Sequence, residues 1–302
     1  MGELVLRAAE ERDLERAGDV NFLAFYRVAL QHGLRPAVST PAESRRYIRY
    51  LARFDPLGGV VAEEEGEVVG VAWIHPRGAV ATLGPVAVEP RAQGRGIGRR
   101  LVDRCLEVAG RGVPQVRLVH ESFNAASLGL YIRTGFRVVA PLLDLELPAG
   151  AVVAAPPAPV GLALRAGATE DRARLVTRDA RAFGAQRPQS IDLYLRRGRT
   201  LVADGGGSLV GYALGIGFER TAYLGSAAAD EADLLLFLLA RMAGELAAPG
   251  VAVRTLVPAG DRRLVEGLTA LGFRVFRACH YMVRGGGTAP PPNYVLMNGD
   301  MM

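Results

Sequence analysis

The 302-residue chain contains no lysine: all 36 of its basic residues are arginine. This excludes Schiff-base chemistry and the lysine-bearing phosphate loop, which both need an ammonium on a flexible stem. Cysteine is almost as scarce. Cys105 and Cys279 both fall in apolar helix or strand patterns, which reads as buried free thiols. A disulfide framework or a zinc site is not expected, and no metal ligand set stands out. Long apolar runs are missing too. The greasiest, Leu234 to Ala240, is too short to cross a bilayer as a helix. The N-terminal stretch carries Glu3, Arg7, Glu10 and Glu11 where a secretory signal would be apolar. A cytoplasmic protein with no membrane partner is expected. Net charge is +5 and the arginines are scattered among acids, which argues against a nucleic-acid partner.

Half of the residues are hydrophobic, and the length suits two domains, each with its own core. The two halves repeat one plan. Leu6-Arg7-Ala8 and Asp13 return as Leu164-Arg165-Ala166 and Asp171. Val61-Ala62-Glu63, Gly66 and Val69-Gly70-Val71-Ala72 return as Val202-Ala203-Asp204, Gly207 and Val210-Gly211-Tyr212-Ala213. In both places two short apolar strands flank a charged or glycine turn, a hairpin signal. Leu83-Gly84 matches Leu224-Gly225, and Gly135-Phe136-Arg137-Val138 matches Gly272-Phe273-Arg274-Val275. The order is the same in both halves, so a duplicated unit explains it better than chance. Between them Pro148 to Pro159 is rich in proline and alanine, a semi-rigid linker. The expected domains are therefore 1–147 and 161–302, joined by a linker over 148–160. Gly285 to Pro292 is a second breaker, leading into Tyr294-Val295-Leu296-Met297-Asn298-Gly299, which suits a short docking strand with a turn.

Patterning in the first half predicts strands at 4–8, 59–64, 68–75, 81–88, 115–120 and 136–147. Helices are expected near 13–31, 43–53, 97–109 and 125–134. This is an α/β (α+β) fold: in each half a mixed, mostly antiparallel sheet flanked by helices. The most informative segment is Gln93-Gly94-Arg95-Gly96-Ile97-Gly98, between the strand ending at Val88 and a helix whose apolar stripe is Ile97, Leu101, Cys105 and Val108. Glycines here let backbone N–H groups converge on an anion, and the helix adds its unpaired amides and positive dipole end. A pyrophosphate suits such a cradle, with Arg95, Arg99 or Arg100 at its rim. A plain tight turn also accounts for the glycines. A dinucleotide fingerprint fits less well, because no acid occurs in Val116-Arg117-Leu118-Val119. A second constellation follows. Asn124 is a helix N-cap candidate, Leu128 and Tyr131 share a face, and Gly135 ends the helix before Phe136. Tyr131 on its own also reads as a core aromatic.

Together the two constellations resemble the GNAT superfamily of acyl-CoA-dependent N-acetyltransferases. Gln93, Gly96 and Gly98 fill that family's cofactor-loop pattern, with Gly94 as a common extra. Val86-Ala87-Val88-Glu89-Pro90 resembles its splayed central strand, and Asn124, Ala126, Leu130, Tyr131, Gly135 and Phe136 resemble its late motif. The resemblance covers roughly 60–140. It implies acetyl-CoA held by Val86, Val88, Gln93, Gly94, Arg95, Gly96, Ile97, Gly98 and Asn124. It also implies direct attack by a primary amine, with backbone amides near Val88 stabilising the thioester oxygen and Tyr131 protonating the leaving thiolate. Candidate bases are His120 and Glu121, with His75 at the end of another strand and Glu89 close to the loop; ordinary surface or loop roles suit His120, Glu121 and His75 better, and Glu89 equally well. The acceptor reads only as a small-molecule or peptide amine, and the chain as a monomer or homodimer. Another acyl-CoA or aminoacyl donor, or a non-catalytic CoA-sensing or protein-binding role, stays open.

The second copy departs from this pattern. After Gly225 it reads Ser226-Ala227-Ala228-Ala229-Asp230-Glu231-Ala232-Asp233, with no Gln-x-x-Gly-x-Gly and about four residues fewer. Its acids oppose a pyrophosphate, and Leu268 stands where Tyr131 does. One donor site per chain is expected, in the first copy. The almost wholly apolar helix after Asp233 is expected to be buried on more than one side, against the first domain or a second subunit.

Overall fold

A computed structural model describes residues 3–110 and 112–296; Met297, Asn298 and Gly299 of the expected docking segment lie outside the described residues. Packing divides the chain into two units. Among the described residues, one holds those up to 137 with 283–287, and the other holds 138–282 with 288–296.

In the first unit the elements run β1 (Leu4–Ala8), α1 (Leu14–Gln31), α2 (Pro41–Phe54), β2 (Gly59–Glu64), β3 (Glu67–Arg77), β4 (Val80–Val88), α3 (Ile97–Ala109), β5 (Gln115–Glu121) and α4 (Ala125–Arg133). The strands lie in the order β1-β2-β3-β4-β5. All pairs are antiparallel except β4 with β5, which is parallel. The expected elements are all present, with ends shifted by a few residues. Glu65 and Gly66, both at positive φ, make the two-residue turn of the β2–β3 hairpin. Thr40 caps α2 by accepting from the Glu43 amide, with Pro41 in its first turn. Helix α3 buries Ile97, Leu101, Val102 and Cys105 against β3. A Cβ on Gly70 would lie 2.9 Å from Leu101 Cδ1, so glycine there sets how closely the helix sits on the sheet.

The second unit contains β6 (Arg137–Leu147) from its second residue onward, then β7 (Ala163–Ala166), α5 (Arg172–Phe183), α6 (Pro188–Arg197), β8 (Arg199–Gly205), β9 (Ser208–Gly217) and β10 (Thr221–Ala229). It continues with α7 (Ala232–Leu246), β11 (Ala252–Pro258), α8 (Arg262–Ala270), β12 (Arg274–Gly285) up to Met282, and β13 (Tyr294–Val295). Its strands run β6-β11-β10-β9-β8-β7, with β13 added to β10. The repeat extends to side chains. Arg7 grips Asp13 through two bonds of 2.6 and 2.8 Å, and Arg165 grips Asp171 through two of 2.6 and 2.7 Å.

The units do not follow the linear halves. Strand β6, which ends the first repeat in sequence, pairs antiparallel with β11, Leu142–Leu147 against Val253–Pro258. The far segment 283–287 belongs to the first unit instead. There the Gly286 amide donates to Pro114 O (3.2 Å), Arg284 Nε to Thr134 O (3.1 Å) and Arg137 Nη2 to Gly287 O (2.5 Å). Helix α7 is apolar nearly all round because it lies in the core of the second unit. Leu235, Leu238, Leu239, Met242 and Ala243 join the cluster formed with β9, β10 and α8. Its burial is met within its own unit.

Candidate active site

Antiparallel strands alternate bonded and non-bonded residue pairs, which fixes where β4 points its backbone. The Glu89 amide donates to Val69 O (2.8 Å), so Val69 and Glu89 form a bonded pair, as do Val71 and Ala87. Gly70/Val88 and Ala72/Val86 are then non-bonded pairs. The N–H and C=O groups of Val86 and Val88 therefore turn away from β3, towards the β5 side. Strand β5 pairs with β4 only over Gln115–Arg117 against Val80–Thr82. Past Thr82 the two parallel strands separate, and Val86 and Val88 face the gap between them.

A bend underlies the separation. The β3–β4 register shifts between Ala72 and Ile74, next to the cis Gly84–Pro85 peptide. His75 is fully buried there. Its Nε2 lies 3.0 Å from Gly84 O and its Nδ1 2.5 Å from Asp55 Oδ2. Arg77 closes on the same carboxylate through two bonds of 2.8 and 2.7 Å, and Trp73 Nε1 donates to Asp55 O. Burial pushes the Asp55 carboxyl up, but the bonds from His75 and Arg77 outweigh it and hold it below the usual carboxylate range. His75 braces the bent strand with both ring nitrogens, which takes it out of the set of candidate bases.

The glycine loop closes against the end of this strand. Gln93 Nε2 donates to Val88 O (2.9 Å), so the amide side chain pins the loop to β4. Gly94 and Gly96 adopt φ of +79° and +80°, and a Cβ at either would meet nothing within 4 Å. Backbone handedness is what calls for glycine at these two positions. At Gly98 a Cβ would lie 3.3 Å from Leu130 Cδ2, a tight approach that brings α3 against α4. Gly96 is the N-cap of α3 and makes no side-chain cap bond. The first-turn amides of Ile97, Gly98 and Arg99 have no partner within the helix, an arrangement that suits an anion. Arg95 is engaged with Glu64 in a two-point ion pair, Arg99 faces Asp103 and Arg100 reaches Leu4 O. Glu89 is buried at the root of the loop, between Arg16 (2.7 Å) and Arg91 (3.0 Å). It is a structural anchor.

The second constellation meets the first through the Gly98–Leu130 contact. Asn124 caps α4, its Oδ1 accepting from the Ser127 amide (3.2 Å). His120 Nε2 lies 3.0 Å from Asn124 O and 2.8 Å from Ser127 Oγ. The carbonyl can only accept, so Nε2 carries the ring proton and the basic nitrogen of the neutral ring is Nδ1. Tyr131 is buried on α4, its ring edge-on to His120 (5.9 Å) and Phe136 (5.8 Å). Glu121 is half-buried at the end of β5. Ser127 was not singled out from the sequence; its place three residues after a capping asparagine is the signal that could have found it.

The model of the acetyltransferase (GNAT) family matches residues 27–136, and that of an acetyltransferase (GNAT) domain matches 175–296. The chain belongs to the GNAT superfamily. A mycothiol acetyltransferase of Streptomyces bingchenggensis is 40% identical over 86 residues, which is 28% of this chain and 28% of that relative. A GCN5-related N-acetyltransferase from Sphaerobacter thermophilus shares the fold at TM-score 0.70 and 18% identity, over 94% of this chain and 97% of that one. A tandem GNAT protein from the clavulanic acid biosynthesis pathway does so at TM-score 0.61 and 17% identity, over 95% and 100%.

Within this tandem GNAT fold the second copy has lost the site in several places. Eight residues, Glu89–Gly96, join β4 to α3; only Asp230 and Glu231 join β10 to α7, and α7 is two residues longer than α3. Asp230 pairs with Arg178 and Asp233 with Arg263. On β11 and α8, Val257, Pro258, Leu264 and Leu268 replace His120, Glu121, Ser127 and Tyr131. Asp261 alone keeps a polar role, capping α8 through the Leu264 amide (3.1 Å).

Proposed function

We propose that the chain is an acetyl-CoA-dependent N-acetyltransferase with one donor site, in the first unit, acting on a primary amine of a small molecule or peptide. The observation that carries this reading is the outward turn of Val86 and Val88 beside an uncapped α3. A gap with backbone donors at one end and a helix N-terminus at the other suits an extended thioester with an anionic head. When bound, acetyl-CoA supplies an activated acyl group on a thiol leaving group. The α3 amides and the Gly94–Gly98 backbone hold its pyrophosphate. The Val88 N–H faces the gap and stabilises negative charge on the acyl oxygen, the kind of preorganised donor that contributes most to acyl transfer. Tyr131 gives a proton to the departing sulfur.

His120 and Glu121 remain the candidate groups for taking the proton of the amine. His120 is 3% exposed and its Nε2 is engaged, so it fits better as a positioning residue for α4. Glu121, half-buried at the end of β5, is then the better base. No helix among the described residues is long and apolar enough to cross a membrane, and both cysteines are buried and free; a cytoplasmic setting suits these features. The local likeness to mycothiol acetyltransferases is too short to bring their acceptor with it.

Calorimetric titration with acetyl-CoA tests the reading. One equivalent is expected to bind per chain, and none when Gly96→Glu places a Cβ and a negative charge at the α3 N-terminus. Two equivalents, or one that survives Gly96→Glu, would put a donor site elsewhere.

A further inference from the structure

The second unit repeats the geometry of the first up to one point. Strands β10 and β11 pair in parallel over Thr221–Leu224 against Ala252–Thr255 and then separate. The Asp230 amide donates to Val210 O (2.9 Å), so the alternation that governs β4 also turns Ala227 and Ala229 away from β9. These two residues are the counterparts of Val86 and Val88. Here the chain itself meets them. Ala227 pairs antiparallel with Val295 and Ala228 with Tyr294, and the Ala229 amide donates to Asn293 O (3.3 Å). Across the wedge, the Leu296 amide donates to Leu256 O (3.1 Å) on β11. Asn293–Leu296 thus holds both separated strands through its backbone.

One side chain of this segment ends on a buried polar network. The Tyr294 hydroxyl accepts from Arg187 Nη2 (3.2 Å). Arg187 is fully buried and grips Asp179 through two bonds of 2.6 and 2.8 Å. Asp179 also accepts from Tyr212 (2.6 Å) and Ser226 (2.9 Å). Tyr294, Val295 and Leu296 are buried, whereas the run before them, 284–289, is exposed.

We propose that the wedge between β10 and β11 is a binding site for an extended peptide strand, and that Asn293–Leu296 is its resident ligand. Main-chain bonds to Ala227, Ala229 and Leu256 provide the affinity, and the bond from buried Arg187 selects the aromatic hydroxyl, as side-chain recognition does in other strand-addition sites. Tethering keeps the segment at high local concentration. The occupied wedge also keeps acyl-CoA out of this unit, independently of the lost glycine loop.

In the full chain, residues 288–291 are replaced by a protease recognition sequence and cut after folding, and the freed C-terminal fragment is removed by dialysis. A fluorescent peptide spanning residues 290–296 is then added and its anisotropy followed. The nicked chain is expected to take up one equivalent, displaced by unlabelled peptide, while the uncut chain takes up none. A Tyr294→Ala peptide is expected to compete about tenfold less well, the loss typical of a buried aromatic anchor. Failure of the nicked, still folded chain to bind the peptide, equal uptake by uncut chain, or equal competition by the Ala peptide overturns the proposal. Should nicking unfold the unit, hydrogen exchange on the uncut Tyr294→Phe variant gives a second reading. The Ala229 and Leu296 amides are expected to exchange about fivefold faster, as loss of one hydrogen bond allows; unchanged exchange overturns it.

Discussion

Tyr131 is the side chain on which the chemical reading turns. It is buried, fixed by His120 and Phe136, and carried by a helix that rests on the glycine loop. Tyr131→Phe keeps the ring and removes the proton. We expect kcat to fall by about 10²-fold or more, the usual scale for a general acid, with KM for acetyl-CoA nearly unchanged. Full turnover with an unaltered pH profile would leave Tyr131 a packing residue. Asp171 offers a test of a different kind. The Arg165 bond holds its carboxyl at about 2, against the opposing pull of burial and with help from the Ala168 amide. An unfolded aspartate titrates near ~3.9. The folded state thus binds the proton less readily, so the clamp stabilises fully above about pH 4 and its contribution is lost as pH falls towards 2. Melting curves of Asp171→Asn should show a lower Tm at neutral pH and a flatter acid limb than wild type. An acid limb of the same slope would mean that the clamp carries no pH-dependent stability.

Among the elements, the glycine loop was the most legible and the strand partners the least. Gln93, Gly96 and Gly98 stand at a spacing that local chemistry demands: a side-chain bond to Val88, a left-handed N-cap and a close helix contact. These are short-range requirements, so the sequence displays them. The family resemblance gives Gly98 to the ligand, and the structure gives it a contact with Leu130 as well. Gly96→Ala should add about 1–2 kcal/mol of left-handed strain and raise KM for acetyl-CoA more than it lowers kcat. Kinetics showing kcat alone reduced would place the fault in the chemistry and away from the cradle. The partner of β6 was not legible. Its alternation of Leu143, Leu145 and Leu147 with Asp144 and Glu146 marks a strand but not which strand it joins, since register is decided by residues more than a hundred positions away. His120 illustrates the same limit, its role depending on Ser127 and the Asn124 carbonyl across a turn.

Over the whole molecule, duplication has kept the scaffold and divided the chemistry. Both copies retain the Arg–Asp clamp and the parallel strands that pair briefly and then separate. Only the first keeps the loop, the polar set on β5 and α4, and Tyr131. The second spends its wedge on the chain's own tail. Each unit also borrows a segment from the other half of the sequence, β6 in one case and 283–287 in the other, so a chain cut near residue 150 would leave both incomplete. The central claim is acetyl transfer to an amine from a single site. Its most direct test is the amine-dependent release of free CoA thiol from acetyl-CoA, measured across amine classes with wild type and Gly96→Glu in parallel. The account predicts saturable release with at least one class by wild type and only background by the variant. Background release by a wild type that binds acetyl-CoA, whichever amine is offered, would contradict it and leave a CoA-binding module in place of an enzyme.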